Sequence, residues 1–136
     1  FDSGFILGDG IWEGLRVHNG AIPFLGRHLK RLWEGAKALD LDMGLSQQEL
    51  TDRLFQTLEA NQMTDHVHIR LMVTRGIKST PYQDPAVTIG GPTIVIIPEY
   101  KAPDPTLNDR GCGYIPFIPG VVMPTCRTPG LIATQS

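Results

Sequence analysis

Cysteine is scarce in this chain: of 136 residues only Cys112 and Cys126 carry thiols. Two cysteines at that spacing make neither a zinc site nor the disulfide framework of a secreted scaffold. A surplus of one charge is also missing. Twelve basic and fourteen acidic side chains leave a formal net charge of −2, which gives no electrostatic case for nucleic acid or an anionic membrane as partner. No apolar run approaches the ~20 residues of a membrane span, and no leader of charged, apolar and small residues opens the chain. A cytoplasmic location without membrane or nucleic-acid partners is therefore expected. A Ser-His-Asp arrangement, metal-ligand spacing and paired carboxylates are lacking as well. The first residue, Phe1, reads as a boundary within something longer.

A chain of this length buries roughly 65–70% of its unfolded surface, enough for one core. The runs I-W-E-G-L-R-V and A-I-P-F flank His18-Asn19-Gly20, and Asn-Gly between strand-like runs predicts a β-hairpin from Gly10 to Phe24. Over 25–40, Leu25, Leu29, Leu32, Ala36 and Leu39 recur at three- and four-residue spacing, which predicts an amphipathic helix. Ser46 with Glu49 three residues later reads as a capping box for a second helix through Leu50, Leu54, Phe55 and Leu58 to about Met63. The run H-V-H-I-R-L-M-V-T from His66 to Thr74 alternates. Val67, Ile69, Leu71 and Val73 take one face, while His66, His68, Arg70, Met72 and Thr74 take a polar one. After a Gly/Pro/Asp-rich loop at 76–92, T-I-V-I-I-P-E-Y reads as a buried strand. The expected class is α+β, a mostly antiparallel sheet with two packed helices.

Several residues could carry chemistry. Gly8-Asp9-Gly10 precedes a strand rather than joining a strand to a helix, so it reads as a tight turn and not a phosphate loop. Trp12, Gly14, Arg16 and His18 share one face of the first strand; Gly14 either lets a ligand approach the backbone or marks a bulge beside a core Trp. His28 and Arg31 stand one turn apart on the first helix. They are either a packed flank residue and a solvated cation, or the setting of a phosphate clamp, for which a guanidinium's paired donors are suited. Arg70 beside His68 suits a carboxylate, or else a cross-strand ion pair.

Taken together, F-D-S-G-F-I-L-G-D-G-I-W-E-G-L-R-V-H-N-G, H-L-K-R-L with A-K-A-L after it, and H-I-R-L-M-V-T-R-G resemble the amino half of the class IV aminotransferases. These fold-type IV pyridoxal-phosphate enzymes include branched-chain and D-amino-acid aminotransferases and aminodeoxychorismate lyase. The resemblance runs from Phe1 to about Tyr100. It implies the small N-terminal domain of that fold, pyridoxal phosphate as cofactor, an amino acid and a 2-oxo acid as substrates, and a homo-oligomer. Arg31 looks like the arginine that grips the cofactor phosphate. Trp12, Gly14 and Arg16 match the branched-chain substrate pocket, and His68 (where tyrosine is common) with Arg70 matches the pair near the substrate carboxylate. Thr80 and Tyr82 stand where the D-amino-acid pattern has arginine and histidine, which leaves the substrate open. None of the lysines sits in the motif of the family's catalytic lysine, which lies beyond residue 136, so a truncated and inactive product is expected.

Residues 111–136 hold four prolines, both cysteines and one charged residue, Arg127, a break in composition that divides the chain into 1–110 and an atypical tail, 111–136. Codons permitted for that tail, read one frame over from Gly111, can spell a charged segment that contains Q-D-P and ends in S-K. A frameshift at about Gly111 is the expectation. The alternative to the truncated-enzyme reading is a non-catalytic module that binds a phosphorylated ligand through Arg31 or associates with itself.

Overall fold

The computed structural model describes residues 1–102; the composition break at 111, the tail and its frameshift reading lie outside them. Three strands form one antiparallel sheet in the order β1-β2-β3: β1 Gly10–Val17, β2 Val67–Thr74 and β3 Thr93–Tyr100. Helices α2 (Leu25–Ala38) and α3 (Gln47–Ala60) follow β1 in sequence. The first lies against β1 and the second against β3, so the sheet has one helix-covered face, as the α+β expectation required.

Strand periodicity decides which side chains meet the helices. In β2, Val67, Ile69, Leu71 and Val73 are fully buried, and they oppose Val17, Leu15, Glu13 and Ile11 of β1 across a regular register. Leu29, Leu32 and Ala36 of α2 and Leu50, Leu54 and Leu58 of α3 close this core. Helix α3 begins with the expected capping box: the Ser46 hydroxyl accepts from the Glu49 amide at 3.2 Å while the Glu49 carboxylate accepts from the Ser46 amide at 2.8 Å. It ends at Ala60 rather than Met63, and Phe55 lies on its exposed side. Helix α2 has no side-chain cap at its start; burial of its leucine stripe, not capping, holds it.

Two expectations are corrected. The Asn19-Gly20 turn exists, with both residues at positive φ (49° and 75°), but its second arm is a single bridge, His18 to Ala21, and not a strand. β1 pairs instead with β2. The turn is held from the other side, by the Asn19 amide donating to Asp65 at 3.0 Å and the Gly20 amide to the Thr64 carbonyl at 2.7 Å. The apolar β3 run is a sheet edge among the described residues, with Ile97 and Tyr100 exposed. A β-branched run specifies extended backbone, but its place in the sheet depends on neighbours.

An additional helix, α1 (Ser3–Leu7), starts at Asp2, whose carboxylate accepts from the Gly4 amide at 2.9 Å, and stops at left-handed Gly8. The Gly8-Asp9-Gly10 stretch is thus a helix stop leading into β1. Arg75, just past β2, ties this region together. It donates to both Asp9 carboxylate oxygens at 2.7 and 3.2 Å and to the Leu39 and Asp40 carbonyls at 2.7 and 2.8 Å. Those carbonyls belong to the end of α2, where a cation satisfies groups left open by the helix.

Candidate functional site

The alternation that buries the odd-numbered residues of β1 turns Trp12, Gly14 and Arg16 to the face of the sheet opposite α2 and α3. Their partners across the register are Met72, Arg70 and His68. Five of the six predicted site residues therefore share one surface. His18, expected on the same face, lies past the end of β1 and pairs with Asp65 at 3.4 Å.

Trp12 is 62% exposed and sits in a regular register, so it is neither a core residue nor a bulge. The Arg70 guanidinium lies over its ring at 5.0 Å from the centroid, a cation–π contact that holds the indole against the sheet. Gly14 makes room for the neighbouring His68: a Cβ at Gly14 would stand 3.2 Å from His68 Nε2 and 3.9 Å from Trp12 Cζ3. The other ring nitrogen, His68 Nδ1, lies 3.5 Å from the Glu99 carboxylate on β3. Arg16 donates through Nη1 to the Lys101 carbonyl. The result is an aromatic plate flanked by Arg16, His68 and Arg70, a setting for a planar apolar group with a carboxylate at its margin.

Arg31 is not on this surface. It reaches β1 from the helix-covered side and grips Glu13, with Nε donating to Oε1 at 2.6 Å and Nη2 donating to Oε2. His28, one turn earlier on α2, places Nδ1 2.9 Å from the same Oε2. The Glu13 side chain is 3% exposed and the Arg31 side chain 69%, so the carboxylate is inside and the far end of the guanidinium is outside. The hydrogen bond from Arg31 comes first among the effects that hold the Glu13 carboxyl below its ordinary pKa, with the bond from His28 adding to it against the cost of burial. A ligand touching both Arg31 and the Trp12 surface has to pass around β1. Glu13 itself was missed by sequence reasoning. A signal was present: a glutamate at a core-facing position between Ile11 and Leu15, with two potential cations one turn apart on the next helix.

Among the described residues no group of three or more His, Cys, Asp or Glu could hold a metal, and no helix is long and apolar enough to cross a membrane. The four lysines of the described residues lie on α2, in the loop after β2 and just past β3. Lys30 pairs with Glu34 along α2 at 3.8 Å. Lys37 lies in the last turn of α2, and Lys101 faces Glu99 at 4.0 Å. Lys78 is buried and donates to the Asp84 carbonyl at 3.0 Å.

Comparison with known proteins bears on the family and the fold. Over 103 residues the chain is 44% identical to branched-chain-amino-acid aminotransferase-like protein 1 of Arabidopsis thaliana, a match that covers 76% of this chain and 19% of that protein. The fold matches the crystal structure of 4-amino-4-deoxychorismate lyase from Pseudomonas aeruginosa with a TM-score of 0.58 and 30% identity, over 74% of this chain and 34% of that one. It also matches a hypothetical aminotransferase from Mycobacterium tuberculosis in its PLP-bound form, with a TM-score of 0.53 and 24% identity over 72% and 32% of the two chains. The chain thus spans about a fifth of the plant relative and about a third of the solved ones. Residues 10–121 match the family described as amino-transferase class IV, and the chain belongs to that family, of which it carries the N-terminal part.

Proposed function

We propose that this chain supplies the N-terminal share of a pyridoxal-phosphate site for amino-group transfer between an amino acid and a 2-oxo acid. The observation that carries the reading is the outer sheet face, where Arg16, His68 and Arg70 flank the exposed Trp12. Trp12 receives the substrate side chain, Gly14 lets the His68 ring lie close beside it, and Arg70, Arg16 and His68 bind the substrate carboxylate. Arg31 holds the cofactor phosphate.

The donor set of Arg31 fits a phosphate. With Nε and one N–H of Nη2 given to Glu13, the three remaining N–H groups lie at the exposed end of the side chain, the geometry for paired donation to an oxyanion. When bound, pyridoxal phosphate supplies an electron sink for the bonds at the substrate's alpha carbon. The residues described here bind and orient. None of their lysines stands in the motif of the family's catalytic lysine, and the 136-residue chain on its own binds without turning over.

The test is titration of the chain with pyridoxal phosphate, followed by borohydride and peptide mapping. Weak, phosphate-dependent binding that Arg31→Ala abolishes is expected, with no lysine labelled stoichiometrically. One lysine fully labelled would overturn the inactive reading, and binding indifferent to Arg31→Ala would remove Arg31 from the site. Self-association is the second reading, favoured by exposed Phe1, Phe5, Ile77 and Ile89, which the Asp2–Ile77 bridge and the Ile89-to-Ile77 backbone bond bring to one end of the domain. Sedimentation that returns only monomer at all concentrations counts against it.

A further inference from the structure

We infer that Glu13 is a positioning residue for anion binding: it takes the side-on face of the Arg31 guanidinium and so presents the end-on face to a phosphate. The inference rests on the reading of Arg31 as the phosphate ligand. It assigns a role to a residue outside the predicted site.

A guanidinium has two faces that can donate a pair of parallel hydrogen bonds, Nε with Nη2 and Nη1 with Nη2. An exposed arginine alone samples many rotamers and offers either face to an anion, losing side-chain freedom when it binds. Here the choice is made in advance. Glu13 accepts from Nε and Nη2, and it cannot swing with the arginine, because its side chain is buried on β1 opposite Leu71. His28 fixes the carboxylate further: an ionised Glu13 has only acceptors to offer, so His28 Nδ1 is the donor at 2.9 Å. The strand thus holds the carboxylate, the carboxylate holds the fork, and the exposed Nη1 edge is what an anion meets.

The alternative role for Glu13 is that of a competing counter-ion that a phosphate must displace. The two roles predict opposite results. For a competitor, Glu13→Gln removes a negative charge beside the site and tightens phosphate binding. For a positioning residue, Glu13→Gln keeps the volume, releases the fork and weakens binding, by about fivefold or more for a charge-assisted paired contact.

The experiment uses the full 136-residue chain, pyridoxal phosphate as probe, and nitrogen-15 spectra of the Arg31 side chain. In the unsubstituted chain the Arg31 Nε–H signal is expected to be downfield and slow to exchange. It should stay so as the probe is added, while the Nη signals move. Loss of the Nε–H signal on binding means that the phosphate displaces Glu13 and overturns the inference without any variant. Affinity unchanged or tighter in a folded Glu13→Gln chain also overturns it, leaving Arg31 as ligand. If the probe binds without moving the Arg31 signals, and Arg31→Lys binds equally well, the phosphate reading itself fails and the inference falls with it.

Discussion

Replacing Arg75 with alanine should destabilise the domain far more than the loss of a surface ion pair would. Arg75 makes four hydrogen bonds, two to Asp9 and one each to the Leu39 and Asp40 carbonyls. The Arg75 and Asp9 side chains are 16% and 21% exposed, which places the pair between two limits. Exposed pairs contribute about 0–1 kcal/mol, and breaking a fully buried one costs about 3–5 kcal/mol. Arg75→Ala also leaves two carbonyls at the end of α2 without their donor, so a cost of about 2–3 kcal/mol is expected, or about 10–20 °C in Tm for a domain of this size. Urea unfolding followed by circular dichroism measures it, with a shift in midpoint at unchanged slope as the sign of a true stability change. A double-mutant cycle with Asp9→Ala should return a coupling of about 1–2 kcal/mol, the remainder belonging to the carbonyls. A cost for Arg75→Ala below about 0.5 kcal/mol would refute the reasoning, since it would mean that water replaces all four contacts at no loss.

Two further outcomes are expected. Because the folded state holds Glu13 below its ordinary pKa of 4.5, the stabilisation is fully present above that value and is lost as pH falls through the lower folded pKa; unfolding free energies between about pH 6 and about pH 3 should fall less in Glu13→Gln than in the unsubstituted chain. Gly14→Ala puts a methyl group 3.2 Å from His68 Nε2, an atom at the end of a rotatable side chain, so it should cost under about 1 kcal/mol while moving the His68 ring signals in a proton–carbon spectrum; unmoved signals would mean that the ring does not lie over Gly14.

The elements whose own residues dictate their form were legible in the sequence. The leucine stripe of α2 and the alternation of β2 each declare a periodicity, the Ser46–Glu49 box declares the start of α3, and the structure follows all three. What could not be read depends on partners far along the chain. The Asn19-Gly20 turn is held by Asp65 and Thr64, far along the chain, while β1 takes β2 as its partner, and α1 is too short for any period to show. The site divides in the same way. Trp12, Gly14 and Arg16, and separately His68 and Arg70, were visible as shared faces. That the two sets lie opposite each other required the β1–β2 register, and that Arg31 belongs with Glu13 on the other side of the sheet required the packing of α2 on β1.

β1 carries both halves of this arrangement on alternate residues, the cation-flanked tryptophan on even positions and the carboxylate that seats Arg31 on odd ones. Parity is therefore the property that evolution has to guard here. A single inserted or deleted residue within Gly10–Val17 would exchange the two faces downstream of it, turning Glu13 or Gly14 to the wrong side of the sheet and driving a charge or an aromatic ring into the core. Substitution can tune this strand one face at a time, while changes of length should be confined to the loop at 76–92, where no alternation has to be kept.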